Sequence, residues 1–521
     1  FTLEEYIRDS QFEVIGVAVK ENDNETVWFT GTHLEIKQSL NTFDFANSFV
    51  VGHNMRFDGA ILSWVFDIKP KGLMDTMGMG TIIHGLTESV SLKNLSELYN
   101  LGQKGTEVLD ALGKHRKDFT PNDLAQYGRY CINDVELTRG LFYQLLPKFT
   151  SKELKLIDLT IRMFTEPKLE LNKGLLVRHL ADVRATKEEL LEKVAVDKDI
   201  LMSNPKFAEA LESLNVKVPM KFSPTTGKET YALAKTDEGF KALLEHEDPY
   251  VQALAAARLG NKSTIEESRT ETFIHIANRG KLPVPLKYAG AVVTHRWSGT
   301  DGINLQNLPR TSPLRNAICA PKGYKIVASD LSNIELRLAY WFAKSHHKVN
   351  LIRQGIDLYK QSAAEITGID YNEVNKDLRF IFKVVNLIKS VPKEGMMKPN
   401  GMMLGLPNLR KIKTEDNRES WVYDKILGRT IIPEYIHPAK TFQRCIQSLA
   451  RDIIGEQLLL VAKKYDVVMT VHDELVMLCR EDEVENCVSY VEECMTTAPV
   501  WCSDLPLGCE VGVGDNYMDA K

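Results

Sequence analysis

Two apolar segments separated by three polar residues form the clearest pattern in the C-terminal part of the chain. Residues 466–471 and 475–478 are rich in Val, Met and Leu, and His472, Asp473 and Glu474 lie between them. Short apolar runs on both sides of a tight polar insertion predict a β-hairpin with these three side chains at its tip. Two carboxylates and an imidazole in that position can hold a divalent metal against a phosphate.

A second apolar run, about 140 residues upstream, also ends in a carboxylate. Ile326-Val-Ala-Ser is typical of a buried strand, Asp330 closes it, and the chain then turns into a helical pattern that carries Glu335. Two aspartates at strand ends far apart in sequence are what two-metal phosphoryl transfer needs. We therefore predict that Asp330 and Asp473 share a site, which the backbone of Leu331 can also face.

Other stretches of the chain show both strand and helix patterns. Residues 12–19 and 26–30 alternate apolar and polar positions, which predicts two strands near the start. Residues 152–196 keep a helical spacing interrupted only by Pro167 and Gly174, which predicts a pair of long helices. Because 521 residues exceed a single hydrophobic core, we expect a multidomain α/β chain.

The composition is that of an ordinary soluble protein, with 44% hydrophobic and 26% charged residues. No apolar run reaches the roughly 18–20 residues that a membrane span requires, and no charged-then-apolar leader opens the chain. We therefore expect a cytosolic protein with no membrane partner. The eight cysteines lack the close pairs of a zinc site and are predicted to be reduced structural thiols.

The net charge of −5 argues against a nucleic-acid partner, but its distribution reverses that impression. Residues 376–413 hold nine Lys and Arg against two Asp and Glu, and residues 251–300 hold seven against three. Residues 480–521, in contrast, hold two basic residues against ten acidic ones. Binding of a polyanion is therefore predicted to be local.

Five motifs resemble those of the family A DNA polymerases, the group of bacterial DNA polymerase I and many phage replicative enzymes, and they occur along the chain in the family's order. The run from Asp330 to Arg337 resembles motif A, and Val471-His-Asp-Glu resembles motif C. The other three are Thr294-His-Arg-Trp-Ser-Gly with Asn304-Leu-Gln-Asn-Leu-Pro-Arg, Arg379-Phe-Ile-Phe-Lys-Val-Val-Asn-Leu, and Gln443-Arg-Cys-Ile-Gln-Ser-Leu-Ala. The resemblance covers nearly the whole chain and is closest in style to phage enzymes.

The resemblance implies a role for each motif residue. Asp330, the Leu331 backbone and Asp473 would hold two Mg²⁺ ions, for which Mn²⁺ can substitute, and Glu474 is either a further ligand or an acidic neighbour. Contacts to the incoming nucleotide are implied for Arg379, Lys383, Leu387, Glu335 and Leu331. Contacts to primer-template DNA are implied for Arg296, Asn304, Gln306, Gln443, Gln447, His472 and Lys262, the last within a stretch that begins at Arg258.

The motif from Arg379 to Leu387 combines one expected feature with two departures from the family pattern. Arg379 and Lys383 are four residues apart, so they share one helix face that can clamp a triphosphate. Leu387 stands where the family has Phe or Tyr, which puts stacking on the nucleotide in doubt. The chain then reaches Leu406 within twenty residues, so the fingers are expected to be shortened or to lack a segment.

The first part of the chain resembles the proofreading 3′-5′ exonuclease fold. Residues 51–58 and 130–134 match its second and third motifs and would supply Asp58, Tyr130 and Asp134 as site residues. The first motif, an Asp-x-Glu on the opening strand, is not found, so two of the four metal-binding carboxylates are missing. We therefore expect this chain to trim a mispaired primer end poorly.

These expectations combine into one architecture: an RNase H-like exonuclease domain followed by a right-hand polymerase. The predicted domains are an exonuclease-like domain at 1–148, a thumb at 149–285, a palm at 286–340 and 430–521, and fingers at 341–429. The expected activity is template-directed DNA synthesis from primer-template DNA and dNTPs by a monomer, in the host cytoplasm if the gene is of phage origin.

Two alternatives stay open at this point, and so does the question of protein partners. The first alternative is a 3′-5′ exonuclease whose polymerase half is degenerate, which the short fingers suggest. The second is a non-catalytic DNA-binding component of a replisome. A helicase or a processivity factor is a candidate partner.

Overall fold

A computed structural model describes most of the chain. The residues outside the description are 106–112, 195, 223–227, 236, 245, 247, 263–264, 368, 374–395, 399–402, 405–407, 409, 414–418, 428–429 and 436–437. The chain divides into two compact units. The first comprises Phe1–Glu170, Lys281–Arg310 and Ile318–Lys521, and the second comprises Leu171–Gly280 and Thr311–Ala317.

The first unit begins with a helix that the sequence pattern did not predict. Leu3–Arg8 starts at Thr2, whose hydroxyl accepts the Glu5 amide while the Glu5 carboxylate accepts the Thr2 amide. The two predicted strands follow as an antiparallel pair, Gly16–Val19 with Val27–Thr30. Both strands are confirmed, although each is shorter than the alternating pattern that predicted it.

Helices and a parallel strand pair make up most of the other described elements in the first 170 residues. The strands are Phe49–Gly52 and Gly72–Asp75. The α-helices are His33–Leu40, Met55–Ala60, Thr76–His84, Leu92–Leu98, Pro121–Leu145 and Ser151–Thr165. The longest of them begins at a capping box formed by Thr120 and Asp123, with Pro121 at the first helical position, where its missing N–H costs nothing.

The predicted pair of long helices is present, but its members belong to different units. Ser151–Thr165 lies in the first unit and Lys173–Val194 in the second. The first helix ends because Glu166 precedes Pro167, and a residue before proline is pushed out of the helical region. Glu166 accordingly has φ −125° and ψ 62°.

The second unit is mainly helical. Its helices are Lys173–Val194, Lys198–Met202, Asn204–Ser213, Glu238–Leu244, Pro249–Lys262, Ile265–Arg279 and Pro313–Ala317, and its strands are Met220–Phe222 and Glu229–Tyr231. Arg258 is buried in the core, stacks on the Phe207 ring and donates to the Leu201 carbonyl oxygen at 2.5 Å. Arg258 therefore contributes to the packing of this unit, and the DNA contact predicted for the stretch that begins at Arg258 stays a prediction.

A four-stranded antiparallel sheet forms the core of the C-terminal part of the first unit. Its strands, in spatial order, are Asp466–Val471, Glu474–Arg480, Tyr324–Leu331 and Cys509–Gly514. The predicted hairpin and the predicted buried strand are both confirmed. The helices Pro438–Val461 and Val484–Thr496 pack on this sheet. Each fully buried Val, Leu, Ile or Met side chain stabilises the folded state by roughly 1.5–3 kcal/mol relative to an exposed one.

Buried charges join the helices around this sheet. The Arg451 guanidinium donates to both carboxylate oxygens of Glu153, at 2.7 and 2.9 Å, and the Tyr288 hydroxyl also donates to Glu153. All three residues are buried. Lys398 pairs with Asp452 at 2.7 Å, also out of contact with solvent. Such pairs hold together only when their partners are complete, because an unpaired buried charge is strongly destabilising.

Further elements of the first unit lie between residues 286 and 435. The helices are Ile334–Phe342, His346–Arg353 and Leu358–Thr367, and the strand pairs are Leu286–Ala291 with Arg296–Gly299 and Met396–Met397 with Met403–Leu404. A three-stranded antiparallel sheet, Arg410–Lys413, Glu419–Leu427 and Thr430–Tyr435, was not predicted. In the part of the chain that the structure describes, no helix is both long and apolar enough to cross a membrane.

Candidate active site

Backbone pairing brings the two predicted aspartates together. Asp330 lies at the end of the strand Tyr324–Leu331, directly across from Glu474 on the neighbouring strand. Asp473 is the second residue of the two-residue turn between the hairpin strands, and His472 before it has φ +55°. The Leu331 amide donates to the Asp473 carbonyl oxygen at 3.1 Å, so the strand end and the hairpin tip are joined directly.

Arg296 connects the hairpin tip with the helix that follows the strand. One of its terminal nitrogens lies 2.6 Å from a Glu335 carboxylate oxygen and 3.3 Å from an Asp473 carboxylate oxygen. Glu335 lies in the first turn of Ile334–Phe342, whose N-cap residue Asn333 has φ +51°. The arginine side chain is 17% exposed, so its charge acts on both carboxylates with little screening from water. Arg296 therefore fixes Glu335 and Asp473 relative to each other.

Glu474 points away from solvent and pairs with a residue that sequence reasoning missed. Its side chain is 2% exposed and binds the Lys521 ammonium, which also lies 3.9 Å from an Asp330 carboxylate oxygen. Asp330, Asp473 and Glu474 form a carboxylate cluster. Glu474 is its buried, inner member, whereas the side chains of Asp330 and Asp473 are 38% and 26% exposed. Nothing in the local sequence around Lys521 indicated this role.

Three of the predicted DNA contacts lie on two elements of the first unit: Gln443 and Gln447 on the helix Pro438–Val461, and His472 at the hairpin tip. Gln443 and Gln447 are half-buried and lie one turn apart on Pro438–Val461, so they share a helix face. Burial and the nearby Arg296 charge lower the pKa of His472, which favours the neutral imidazole.

In the stretch from Asn304 to Asn307, Asn304 is half-buried and Gln306 is buried, whereas Asn307 is exposed. The stretch forms a single 3₁₀ turn, Leu305–Asn307, in which the Asn304 side-chain oxygen accepts the Gln306 amide at 3.1 Å. Gln306 is 9% exposed. Asn304 therefore serves as a cap in this structure, and only the outer edge of Gln306 faces solvent.

The donor set at the sheet suits a hard divalent cation. Asp330 and Asp473 offer partly exposed carboxylate oxygens. Each lies within 4 Å of a cationic nitrogen, of Lys521 and Arg296 respectively, so the two carboxylates attract positive charge. Mg²⁺ is typically bound by one or two protein carboxylates together with substrate phosphates and water. Among the described residues, no group of three or more His, Cys, Asp or Glu side chains is close enough to hold a metal.

Several predicted site residues cannot be placed. Arg379, Lys383 and Leu387 lie outside the described residues, and the side chain of Lys262 is also outside the description. Their roles in nucleotide and DNA binding stay predictions.

The exonuclease-like site has a different construction. Asp58 lies on the helix Met55–Ala60, and Asp75 positions that helix start by accepting the amides of Asn54 at 2.8 Å and Met55 at 3.3 Å. Asp58 is exposed to solvent, yet desolvation by the surrounding protein, with smaller contributions from the Asp75 and Asp134 charges, raises its pKa to about 6.

A lysine occupies the other half of this site. Tyr130 and Asp134 lie one turn apart on Pro121–Leu145. The Lys104 ammonium pairs with Asp134, donates to the Tyr130 hydroxyl at 2.7 Å and lies 4.7 Å from the Tyr130 ring centre. Burial and the Asp134 charge raise the pKa of Tyr130, so this phenol stays protonated.

Comparison with known sequence families covers both halves of the chain. The pattern of DNA polymerase family A matches residues 176–388 and 440–519, and the pattern of the 3′-5′ exonuclease matches residues 4–150. The interval 389–439, which contains the three-stranded sheet, lies outside both matches.

Individual relatives agree with the family comparison. The chain is 26% identical to the DNA polymerase I of Pseudomonas aeruginosa over 98% of its own length and 62% of that protein. It is 24% identical to the DNA polymerase I of Aquifex aeolicus, over 90% of this chain and 88% of that protein. A solved structure of the polymerase domain of Pol1 from M. smegmatis, in complex with DNA primer-template and dNTP, matches with a TM-score of 0.68 at 17% identity.

That structural match covers 96% of this chain and 93% of the M. smegmatis chain, so the two share their overall fold. The mixed helix and strand content confirms the predicted α/β multidomain class. More than half of the chain matches one family pattern. The chain therefore belongs to DNA polymerase family A.

Proposed function

We propose that this chain adds deoxynucleotides to a primer 3′ end under the direction of a template strand. The observation that carries the proposal is the meeting of Asp330 and Asp473, whose strand end and hairpin tip are joined by the hydrogen bond between the Leu331 amide and the Asp473 carbonyl. Backbone pairing holds the main chain of both residues in place without any bound ligand. Family membership supports the same activity.

The metal-binding part of the site would consist of Asp330, Asp473 and the Leu331 carbonyl. Bound Mg²⁺ supplies activation of the primer hydroxyl and charge neutralisation of the triphosphate and leaving pyrophosphate. Arg296 keeps the Asp473 carboxylate in place through its shared contact with Glu335. Glu474 contributes through its pair with Lys521 and not as a direct ligand, because its buried carboxylate already binds the Lys521 ammonium.

The DNA would be held by side chains that recognise features common to all base pairs. Gln443 and Gln447 lie on one helix face, and their amide groups can donate to purine N3 and pyrimidine O2, which are acceptors in every correct pair. His472 at the hairpin tip is neutral at physiological pH because its pKa is lowered, so it can approach a primer terminus without adding charge. The implied partners are primer-template DNA and dNTPs.

The experiment is primer extension by Asp473→Ala with a matched control on the same hairpin. Asp466→Ala removes an exposed carboxylate at the other end of the hairpin, where it pairs with Lys168. We expect Asp473→Ala to lose extension by at least about 10³-fold, or about 4 kcal/mol, while primer-template affinity persists. Asp466→Ala should extend normally. Incorporation by Asp473→Ala within about tenfold of the unmodified chain would refute the proposal.

A 3′-5′ exonuclease activity is the second candidate, favoured by the family match at residues 4–150. Asp58 and Asp134 are the motif carboxylates available for it, and Lys104 already pairs with Asp134. Two carboxylates are fewer than two-metal hydrolysis ordinarily uses, so we expect the 521-residue chain to trim a mispaired primer slowly or not at all. Rapid trimming in Mg²⁺ or Mn²⁺ that vanishes in Asp134→Ala would show this expectation to be wrong.

A further inference from the structure

The segment after the last sheet strand is folded into a defined turn. The Asn516 side-chain oxygen accepts the amides of Met518 at 2.9 Å and Asp519 at 3.0 Å. The Tyr517 amide donates to the Ile318 carbonyl oxygen at 2.9 Å, and the Tyr517 ring is fully buried. The chain is thereby turned back toward the sheet, and the position of Lys521 is determined by the fold.

Two glycines allow this segment to cross the edge strand at close range. A Cβ at Gly512 would lie 2.3 Å from the Ala520 carbonyl oxygen, and a Cβ at Gly514 would lie 2.6 Å from the Ala520 nitrogen. Both distances are to backbone atoms, which cannot move aside as a flexible side chain can. Only glycine at these two positions lets residue 520 pack against the strand, where Ala520 is 1% exposed. Residue 521 then lies beside the catalytic carboxylates.

Lys521 is the cation nearest to the inner carboxylate of the cluster. Its ammonium binds one Glu474 oxygen, and the other Glu474 carboxylate oxygen is buried with no hydrogen-bond partner among the described residues. The same ammonium lies 3.9 Å from Asp330. Because Asp330 and Glu474 are directly opposed across the strand pair, their charges repel at close range unless a cation lies between them.

We propose that Lys521 is a positioning residue that holds Glu474 inside the cluster and keeps this carboxylate away from the metal held by Asp330 and Asp473. This proposal rests on the function proposed above. It assigns Glu474 an indirect role, through Lys521. Gly512 and Gly514 then contribute to catalysis by letting the backbone of residue 520 approach the strand, which places Lys521 beside Glu474. Loss of Lys521 would leave a third, unpaired carboxylate next to the two that bind the metal.

Two opposite effects of one substitution distinguish this role from a merely structural one. The metal-free Lys521→Ala variant should bind Mn²⁺ several-fold more tightly than the unmodified chain does, because one cation is lost and Glu474 becomes available as a ligand. Nucleotide incorporation at saturating dNTP should nevertheless fall by about tenfold or more, because the metal is no longer held only by Asp330 and Asp473. Lys521→Arg should retain much of the activity, because it keeps the cation.

The experiment measures Mn²⁺ affinity by electron paramagnetic resonance on the metal-free protein, together with single-turnover incorporation per folded molecule. The double variant Lys521→Ala with Glu474→Gln should return the Mn²⁺ affinity close to that of the unmodified chain, since the freed carboxylate is gone. Lys325→Ala is the matched control: Lys325 lies on the same strand as Asp330 and pairs with Asp515 at 2.5 Å, away from the cluster. It should change neither quantity.

The outcomes separate the two proposals. Unchanged Mn²⁺ affinity and unchanged incorporation in Lys521→Ala would overturn the role of Lys521 while leaving the function intact, provided that Asp473→Ala is inactive. A weaker Mn²⁺ affinity that Glu474→Gln does not reverse would also overturn it, because Lys521 would then support the fold of the site in general. If Asp473→Ala extends primers normally, the proposed function itself fails.

Discussion

The two carboxylate sites of this chain differ in how their members are brought together. Asp330 and Asp473 are fixed by backbone pairing, because the strand end and the hairpin tip exchange a main-chain hydrogen bond. Asp58 and Asp134 lie on two separate helices, and their positions depend on how those helices pack. The sheet site is therefore defined by register, and the helix site by tertiary packing.

The charges around the two sites differ in the same way. Near the sheet site, Arg451 lies over the ring of Trp297, the neighbour of Arg296, and forms a pair with Glu153 in which both side chains are at most 3% exposed. At the helix site, Lys104 and Asp134 form a pair that is 23% and 24% exposed. A buried pair is costly to break, whereas a pair in contact with water contributes little. We infer that the sheet site is the more rigid of the two, and the following predictions test this difference.

The largest expected effect comes from breaking the buried pair. Arg451→Met should lower the free energy of unfolding by about 3–5 kcal/mol, because it leaves the Glu153 carboxylate buried and unpaired. Chemical denaturation with a constant m-value would measure it. Replacing both partners, Arg451→Met with Glu153→Leu, should recover much of the loss. A single variant as stable as the unmodified chain would contradict the rigidity assigned to the sheet site.

The same pair predicts how stability depends on pH. Burial opposes ionisation of Glu153, but the Arg451 guanidinium outweighs it and lowers the pKa of Glu153 to about 2 from its ordinary 4.5. A carboxyl with a lowered pKa in the folded state stabilises it above the unfolded pKa, and this contribution is lost as pH falls toward the folded value. The stability difference between the unmodified chain and Glu153→Gln should therefore shrink between about pH 4.5 and 2. A difference that stays constant over this range would argue against the pairing.

A smaller effect is expected when the hairpin tip loses its contact with the helix Ile334–Phe342. Arg296→Ala should slow incorporation by about 10²-fold, or roughly 2.7 kcal/mol, because Asp473 and Glu335 are then no longer held together. Arg296→Lys should be intermediate, since a lysine cannot reproduce the planar fork. Pre-steady-state kinetics would measure both variants. Equal rates for Arg296→Ala and the unmodified chain would remove Arg296 from the site.

The smallest effect is expected at the helix site. Lys104→Met should change the free energy of unfolding by no more than about 1 kcal/mol, because the Lys104 pair with Asp134 is partly exposed. The measurement is the same denaturation experiment as for Arg451→Met. A loss as large as that of Arg451→Met would erase the contrast between the two sites.

The sheet site could be predicted from the sequence because its geometry follows from local patterns. A strand that ends in Asp330 and a hairpin that turns at Asp473 are both visible as apolar runs with polar ends. The pairing of those strands then places the two carboxylates together. Family resemblance added the roles, but the proximity is a property of the sheet.

The residues that sequence reasoning missed depend on contacts without a local pattern. Lys521 reaches Glu474 through a turn and two close backbone approaches, and no periodicity marks such an arrangement. Arg258 has the charge of a DNA contact, yet the core of the second unit buries it on the Phe207 ring. The three-stranded sheet within residues 410–435 also escaped prediction, although its Tyr423 and Glu434 bind Arg444, next to the predicted DNA contact Gln443.

The most direct test of the central claim is single-turnover nucleotide incorporation by two double variants. One removes the sheet pair, Asp330→Asn with Asp473→Asn, and the other removes the helix pair, Asp58→Asn with Asp134→Asn. We predict that the first loses incorporation by at least about 10³-fold with primer-template affinity retained, because the metal ligands are gone, and that the second incorporates at the unmodified rate. Incorporation by the first variant within about tenfold of the unmodified chain, or its loss in the second, would contradict the assignment of DNA synthesis to the sheet site.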